Sequence, residues 1–121
     1  MRLLDKKEDL IGKGDAIKWH PDFMRLRYRN WTENLNLDWC VSRQRFFGVP
    51  FPVWYKLDEK GMVNYDQPIV APAEMMPVDP MVHVPTGFSE DQRGKPGGFI
   101  GESDVFDTWF TSSLSPQIGS H

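Results

Sequence analysis

The stretch Leu37-Asp38-Trp39-Cys40-Val41-Ser42-Arg43-Gln44-Arg45-Phe46-Phe47-Gly48-Val49-Pro50-Phe51-Pro52-Val53-Trp54-Tyr55 decides how the chain is read. Its first six residues are apolar and β-favouring and end at the polar group Ser42-Arg43-Gln44, which predicts a buried strand opening into a loop. Beyond Gly48, prolines alternate with large apolar side chains. Pro50 and Pro52 each lack a ladder donor, so any strand here lies at an edge or begins after Pro52, and helix is excluded.

Upstream, Leu3, Leu4, Leu10 and Ile11 recur at helical spacing among charges, and Gly12 and Gly14 then end the pattern as C-terminal glycines do. A helix over residues 2–12 is expected. Ala16 to Trp19 reads as a strand or extended segment closed by His20-Pro21, because the residue before proline avoids the helical region. Asp22 stands where it would cap a second helix from Phe23 to Leu35. There Phe23, Leu26, Trp31 and Leu35 are separated by Arg25, Arg27, Arg29 and Glu33, giving an amphipathic helix with a basic face.

Downstream, six of the chain's ten prolines fall between residues 58 and 101, a density that opposes regular helix and predicts a loop-rich insert. Glu102 to Leu114 returns to a dense apolar and aromatic pattern, read as a strand or turn leading into a helix that Pro116 bounds. The expected organisation is a helix-strand-helix-strand segment over residues 1–55, a Pro/Gly-rich insert over 56–101, and a return to the first domain over 102–121.

At 121 residues the chain is long enough for a single core. Hydrophobic residues make up 40% and charged residues 26%, so composition points neither to disorder nor to a membrane. Met1 to Asp9 is charged where a signal peptide is apolar, which makes a cytoplasmic setting the expectation. Cys40 is the sole cysteine, which excludes an intrachain disulfide and a thiolate cluster for zinc. His20, His83 and His121 lack metal-ligand spacing, and Ser42 has no nearby histidine to activate it. Gly94 to Gly101 matches neither phosphate-binding glycine pattern. Residues 18–55 carry an excess of three positive charges and residues 56–121 an excess of six negative ones, so only the middle of the chain suits contact with phosphates.

Two islands, Asp38–Tyr55 and Asp104–Leu114, mix large aromatic walls with a few polar groups, as a small-molecule pocket requires. By residue type alone, Trp39 and Trp109 are ordinary core tryptophans, and Asp104 and Asp107 are caps or surface charges. The first island resembles the segment that follows the editing domain in class I aminoacyl-tRNA synthetases for valine, isoleucine and leucine. The second, Asp104-Val105-Phe106-Asp107-Thr108-Trp109-Phe110-Thr111-Ser112-Ser113-Leu114, looks like its partner further along the same catalytic domain. The ending Thr108 to Ile118 is similar to valyl enzymes, particularly a branch shared by archaea and some bacteria. Isoleucyl and leucyl enzymes usually carry Asp-Ser-Gly after the Trp-Phe pair.

The resemblance implies an α/β fold, part of the second half of a Rossmann-like catalytic domain with a loop-rich insert. It implies a parent enzyme that activates valine with ATP and Mg²⁺ and transfers it to tRNA(Val), the rest of the synthetase chain being this segment's partner. Trp39, Val105 and Trp109 would line the valine side-chain pocket, with Asp104 near the substrate's ammonium group or the adenylate ribose. Such a slot rejects isoleucine by size, but one methylene is worth only about 1–3 kcal/mol and threonine is nearly isosteric, hence the family's hydrolytic editing. Many valyl enzymes carry zinc-knuckle cysteines between the two strings; residues 56–103 contain none, so no metal is expected there. Neither the His-Ile-Gly-His-type nor the Lys-Met-Ser-Lys-Ser-type motif is present, so no catalytic residue is assigned and the chain alone is expected to be inactive. Two other readings stay open: a non-catalytic RNA-binding module using the basic middle, and a fragment of an isoleucyl or leucyl enzyme.

Overall fold

The computed structural model describes residues 1–120 and divides into two compact units, the first covering residues 1–41 and the second beginning at Ser42. Each has its own packing logic.

The first unit is helical. A 3₁₀ turn at Leu4–Lys6 runs into α1 (Lys7–Ala16), and α2 (Phe23–Glu33) packs back on it. Gly12 and Gly14 do not end α1, contrary to the expected C-cap. Gly14 is instead a contact point: a Cβ built on it would lie 2.1 Å from Cε1 of Tyr28, so only a glycine lets the Tyr28 ring sit against α1. The Tyr28 hydroxyl donates to the Leu10 carbonyl at 2.9 Å, and the Trp19 indole, 5.4 Å from the Tyr28 ring, donates to the Gly14 carbonyl at 2.7 Å.

Residues 17–22 form no strand. Ile17 is extended, but the segment is spent bringing Trp19 onto α1. Asp22 already has helical dihedrals and its side chain does not cap α2; the Pro21 and Asp22 carbonyls accept the first amides instead, at 3.1 Å each. At the other end, Lys7 donates to the Glu33 and Leu35 carbonyls at 2.7 and 2.8 Å, matching a cation to the negative end of α2. The basic face is largely neutralised at its centre. Arg29 pairs with Asp15 at 2.9 Å and Glu33 at 2.8 Å, and Arg25 stands 4.0 Å from Asp15.

The buried strand expected over 37–42 is reduced to β1 (Ser42–Arg43), and Leu37 is 74% exposed. The cause is Asp38, whose Oδ1 accepts the Leu3 and Leu4 amides at 2.8 and 3.0 Å and so caps the N-terminal turn from 34 residues away. Those two bonds hold its carboxyl below its ordinary pKa.

The second unit is built from two small antiparallel sheets. β1 pairs with β5 (Val105–Phe106), Ser42 facing Phe106 and Arg43 facing Val105. β2 (Val53–Leu57) lies between β3 (Val63–Val70) and β4 (Phe99–Gly101). β2 begins after Pro52, as the missing proline donors require, and Pro68 sits on β3 at the sheet edge. Stretch 56–101 is therefore not only loop: it supplies two of the three strands in this sheet. The hairpin turn between β2 and β3 is fixed by Asp58, whose Oδ1 accepts the Lys60 and Met62 amides at 2.8 Å each, and by Gly61 at φ +82°.

The proline-rich segment 71–98 folds over this sheet rather than hanging from it. Trp54 and Phe99 are fully buried with Ala71 and Val78, and Ile69, Met75, Val84 and Phe88 pack around them. The Trp54 indole donates to the Pro80 and His83 carbonyls at 3.2 and 3.0 Å. Arg93 donates to the same two carbonyls at 2.8 and 2.9 Å and stands 5.0 Å over the Phe99 ring. Past β5, α3 (Thr108–Ser112) and α4 (Ser115–Gly119) follow, so the expected strand-to-helix passage is found. Among the described residues no helix is long and apolar enough to cross a membrane.

Candidate functional site

The site is assembled at the join between β5 and α3. Asp107 terminates β5 and caps α3: its Oδ1 accepts the Trp109 amide at 2.8 Å, and the Arg43 guanidinium on β1 donates to its other oxygen. Asp107, read from sequence as a cap or surface charge, is a buried cap. This fixes the direction in which α3 leaves the sheet. Phe106 is stacked between Phe51, with centroids 3.8 Å apart, and Phe110, at 4.8 Å and 12° between planes. Its amide also donates to the Val49 carbonyl at 2.8 Å.

Within that frame the three predicted residues of the second unit differ in surroundings. Val105 is buried at 7% exposure, and a Cβ on Gly48 would come within 2.6 Å of its Cγ2. Trp109, at 77% exposure, presents its indole outward from the first turn of α3. Asp104 is half-buried; Oγ of Ser42 donates to its Oδ2, and its amide donates to Oε1 of Glu102 at 2.8 Å. Glu102 in turn accepts the Tyr55 hydroxyl on Oε2 at 2.9 Å. Burial first, and then this bond to a carboxylate, pushes the Tyr55 hydroxyl up to about 12. Tyr55 is therefore a protonated donor at neutral pH.

Trp39 belongs to the first unit, where its amide donates to the Met1 carbonyl at 3.0 Å and its side chain is half-buried. The structure thus gathers Asp104, Val105 and Trp109 on one short passage of the second unit and places Trp39 in the other. Sequence reasoning missed Ser42, Tyr55 and Glu102 as partners of this passage. Only the Tyr55 and Glu102 residue types hinted at it, since Ser42 and Asp104 are 62 residues apart.

A cleft of about 210 Å³ opens beside Ser42, Phe51, Val53, Tyr55 and Glu102. A larger apolar groove of about 600 Å³ runs between Val49–Pro52 and Met76–Asp79. Among the described residues no group of three or more His, Cys, Asp or Glu side chains is arranged to hold a metal ion. The arrangement offers a hydroxyl-anchored carboxylate at Asp104 and, five residues on, an outward indole at Trp109, groups suited respectively to a cationic and an apolar ligand end.

Comparison with known proteins shows the family. The family model for class I tRNA synthetases (I, L, M and V) matches residues 2–120. A valine–tRNA ligase of Thermobifida fusca (strain YX) is 58% identical over 112 residues, covering 93% of this chain and 13% of that protein. The valine–tRNA ligase of Leifsonia xyli subsp. xyli (strain CTCB07) is 56% identical over 112 residues, again 93% of this chain and 13% of the relative. That of Bifidobacterium longum (strain DJO10A) is 54% identical over 113 residues, 93% and 12% respectively. The chain spans about an eighth of the length of these curated relatives. With residues 2–120 matched, it belongs to the class I tRNA synthetase family (I, L, M and V).

Proposed function

We propose that this chain is the amino-acid-recognition segment of a valine-activating synthetase, a cytoplasmic enzyme that forms valyl-adenylate from valine and ATP and passes the valyl group to tRNA(Val). The observation that carries the reading is the passage Asp104–Trp109, where a capped helix start holds an outward indole five residues from an anchored carboxylate. The names and identities of the relatives support the choice of valine. In this reading Trp109, Val105 and, from the first unit, Trp39 serve the valine side chain, and Asp104 serves the ammonium group or the adenylate ribose. An exposed indole has an area of roughly 150–250 Å² to cover, and covering it against a branched aliphatic group is favourable without any chemistry.

The same reading places the segment in the second half of a Rossmann-like domain and assigns ATP and Mg²⁺ handling to the rest of the synthetase chain. ATP there would supply the adenylyl group that activates the valine carboxylate, with pyrophosphate as the leaving group. In this reading the part of the present segment is to bind and orient the amino acid. Activation then proceeds by in-line attack of the substrate's own carboxylate, which needs positioning and charge stabilisation but no covalent enzyme intermediate.

The RNA-binding alternative loses support at α2. Its central arginine, Arg29, is paired with Asp15 and Glu33, which opposes that charge before any phosphate does. The test of the main reading is Trp109→Ala in the full-length synthetase carrying this segment. Valine-dependent pyrophosphate exchange is expected to weaken far more than ATP binding; unchanged exchange contradicts the assignment.

A further inference from the structure

Asp104 lies on the short loop between β4 and β5, where an aspartate side chain has two soft torsions and no helix to fix it. The structure removes that freedom from two sides. On one, Ser42 Oγ donates to Asp104 Oδ2, and Ser42 is itself held in register opposite Phe106 in the β1–β5 pair. On the other, Glu102 Oε1 accepts the Asp104 amide at 2.8 Å. Glu102 is fixed by the Tyr55 hydroxyl at 2.9 Å and by its own amide, which donates to the Val53 carbonyl at 2.9 Å. Backbone and carboxylate of Asp104 are thus anchored to two different sheets of the same unit.

A carboxylate accepts about four hydrogen bonds, so one bond from a serine hydroxyl sets its plane without using up its capacity for a cation. Ser42 carries no charge and cannot compete with an ammonium group for the carboxylate. Hydroxyl-to-carboxylate bonds are among the stronger neutral-to-ion contacts, and an orientation error at a binding carboxylate is costly.

We infer that Ser42 is a positioning residue for amino-acid recognition, holding the Asp104 carboxylate at the angle that receives the substrate's ammonium group. The inference rests on the amino-acid-site reading given above. It extends that reading to a specific dependence: loss of the Ser42 hydroxyl weakens recognition of the ammonium group and leaves recognition of the side chain intact.

The experiment uses the full-length synthetase carrying this segment, with valine and ATP as exchange substrates and isovalerate, which is valine without its amino group, as competitor. Ser42→Ala is expected to raise the valine KM about ten-fold. The isovalerate inhibition constant and the ATP KM stay within about two-fold, since neither reads the ammonium contact. Ser42→Thr, which restores a hydroxyl, is expected to recover most of the loss. The inference is overturned if Ser42→Ala leaves the valine KM unchanged while Asp104→Asn raises it, or if valine and isovalerate weaken equally. If Asp104→Asn itself leaves the valine KM unchanged, Asp104 does not receive the ammonium group and the role of Ser42 is overturned, whereas unchanged exchange in Trp109→Ala is the result that fails the amino-acid-site reading itself.

Discussion

The Arg43 guanidinium on β1 donates to the Asp107 carboxylate at the N-cap of α3, so a single ion pair ties a strand end to a helix start 64 residues further along the chain. Asp107 is buried and Arg43 half-buried, which makes this pair different in kind from the exposed pairs of the first unit. Removing the cation leaves a buried carboxylate short of a partner. Arg43→Met is expected to lower stability by about 1–3 kcal/mol, read as a lower urea midpoint, and Asp107→Ala by more because it also removes the cap.

Gly12 and Gly14 are two residues apart on α1 and should respond oppositely to alanine. Nothing lies within 4 Å of a Cβ at position 12, so Gly12→Ala should stabilise by about 0.5–1 kcal/mol through helix propensity. At position 14 the added methyl meets the Tyr28 ring, and Gly14→Ala should destabilise by about 1–3 kcal/mol. Thermal unfolding of both variants separates the two effects.

Trp54 holds the centre of the second unit. Trp54→Ala should cost about 3–5 kcal/mol by opening a cavity beside Phe99. Trp54→Phe should cost less, because Arg93 continues to donate to the Pro80 and His83 carbonyls that lose the indole. A denaturation series that ranks Phe as badly as Ala would assign the weight to the indole N–H instead of to volume.

Tyr55 makes stability depend on alkaline pH. Its folded value is raised from 10.0 to about 12, so the folded state holds a proton that the unfolded chain releases between those values. The contribution is complete below pH 10 and is lost as pH rises through about 12. A falling thermal midpoint over that window is expected in the wild-type chain, and a shallower fall in Tyr55→Phe.

The features legible in the sequence were those that depend on near neighbours. Pro52 marked the start of β2 because a proline has no donor, Asp107 lay where a cap belongs, and the spacing of Phe23 to Leu35 described α2, which ends at Glu33, to within two residues. The β2–β3 hairpin was equally local, with Asp58 and Gly61 in the turn between alternating residues, but proline density over 58–101 outweighed it. The rest depends on pairs distant in sequence. Gly14 acts through Tyr28, Asp38 acts through Leu3 and Leu4, and Ser42 acts through Asp104. No periodicity records such pairs. The same holds at the site: the strings singled out Asp104, Val105 and Trp109, yet only the structure separates the buried valine from the outward tryptophan.

The central claim is that this segment selects valine, and amino-acid-dependent pyrophosphate exchange by the full-length synthetase measures it most directly. Valine should be activated with a kcat/KM roughly 10–200-fold above that of isoleucine, the range one extra methylene allows, with leucine also well below valine. Exchange supported equally well by isoleucine or leucine would contradict the account.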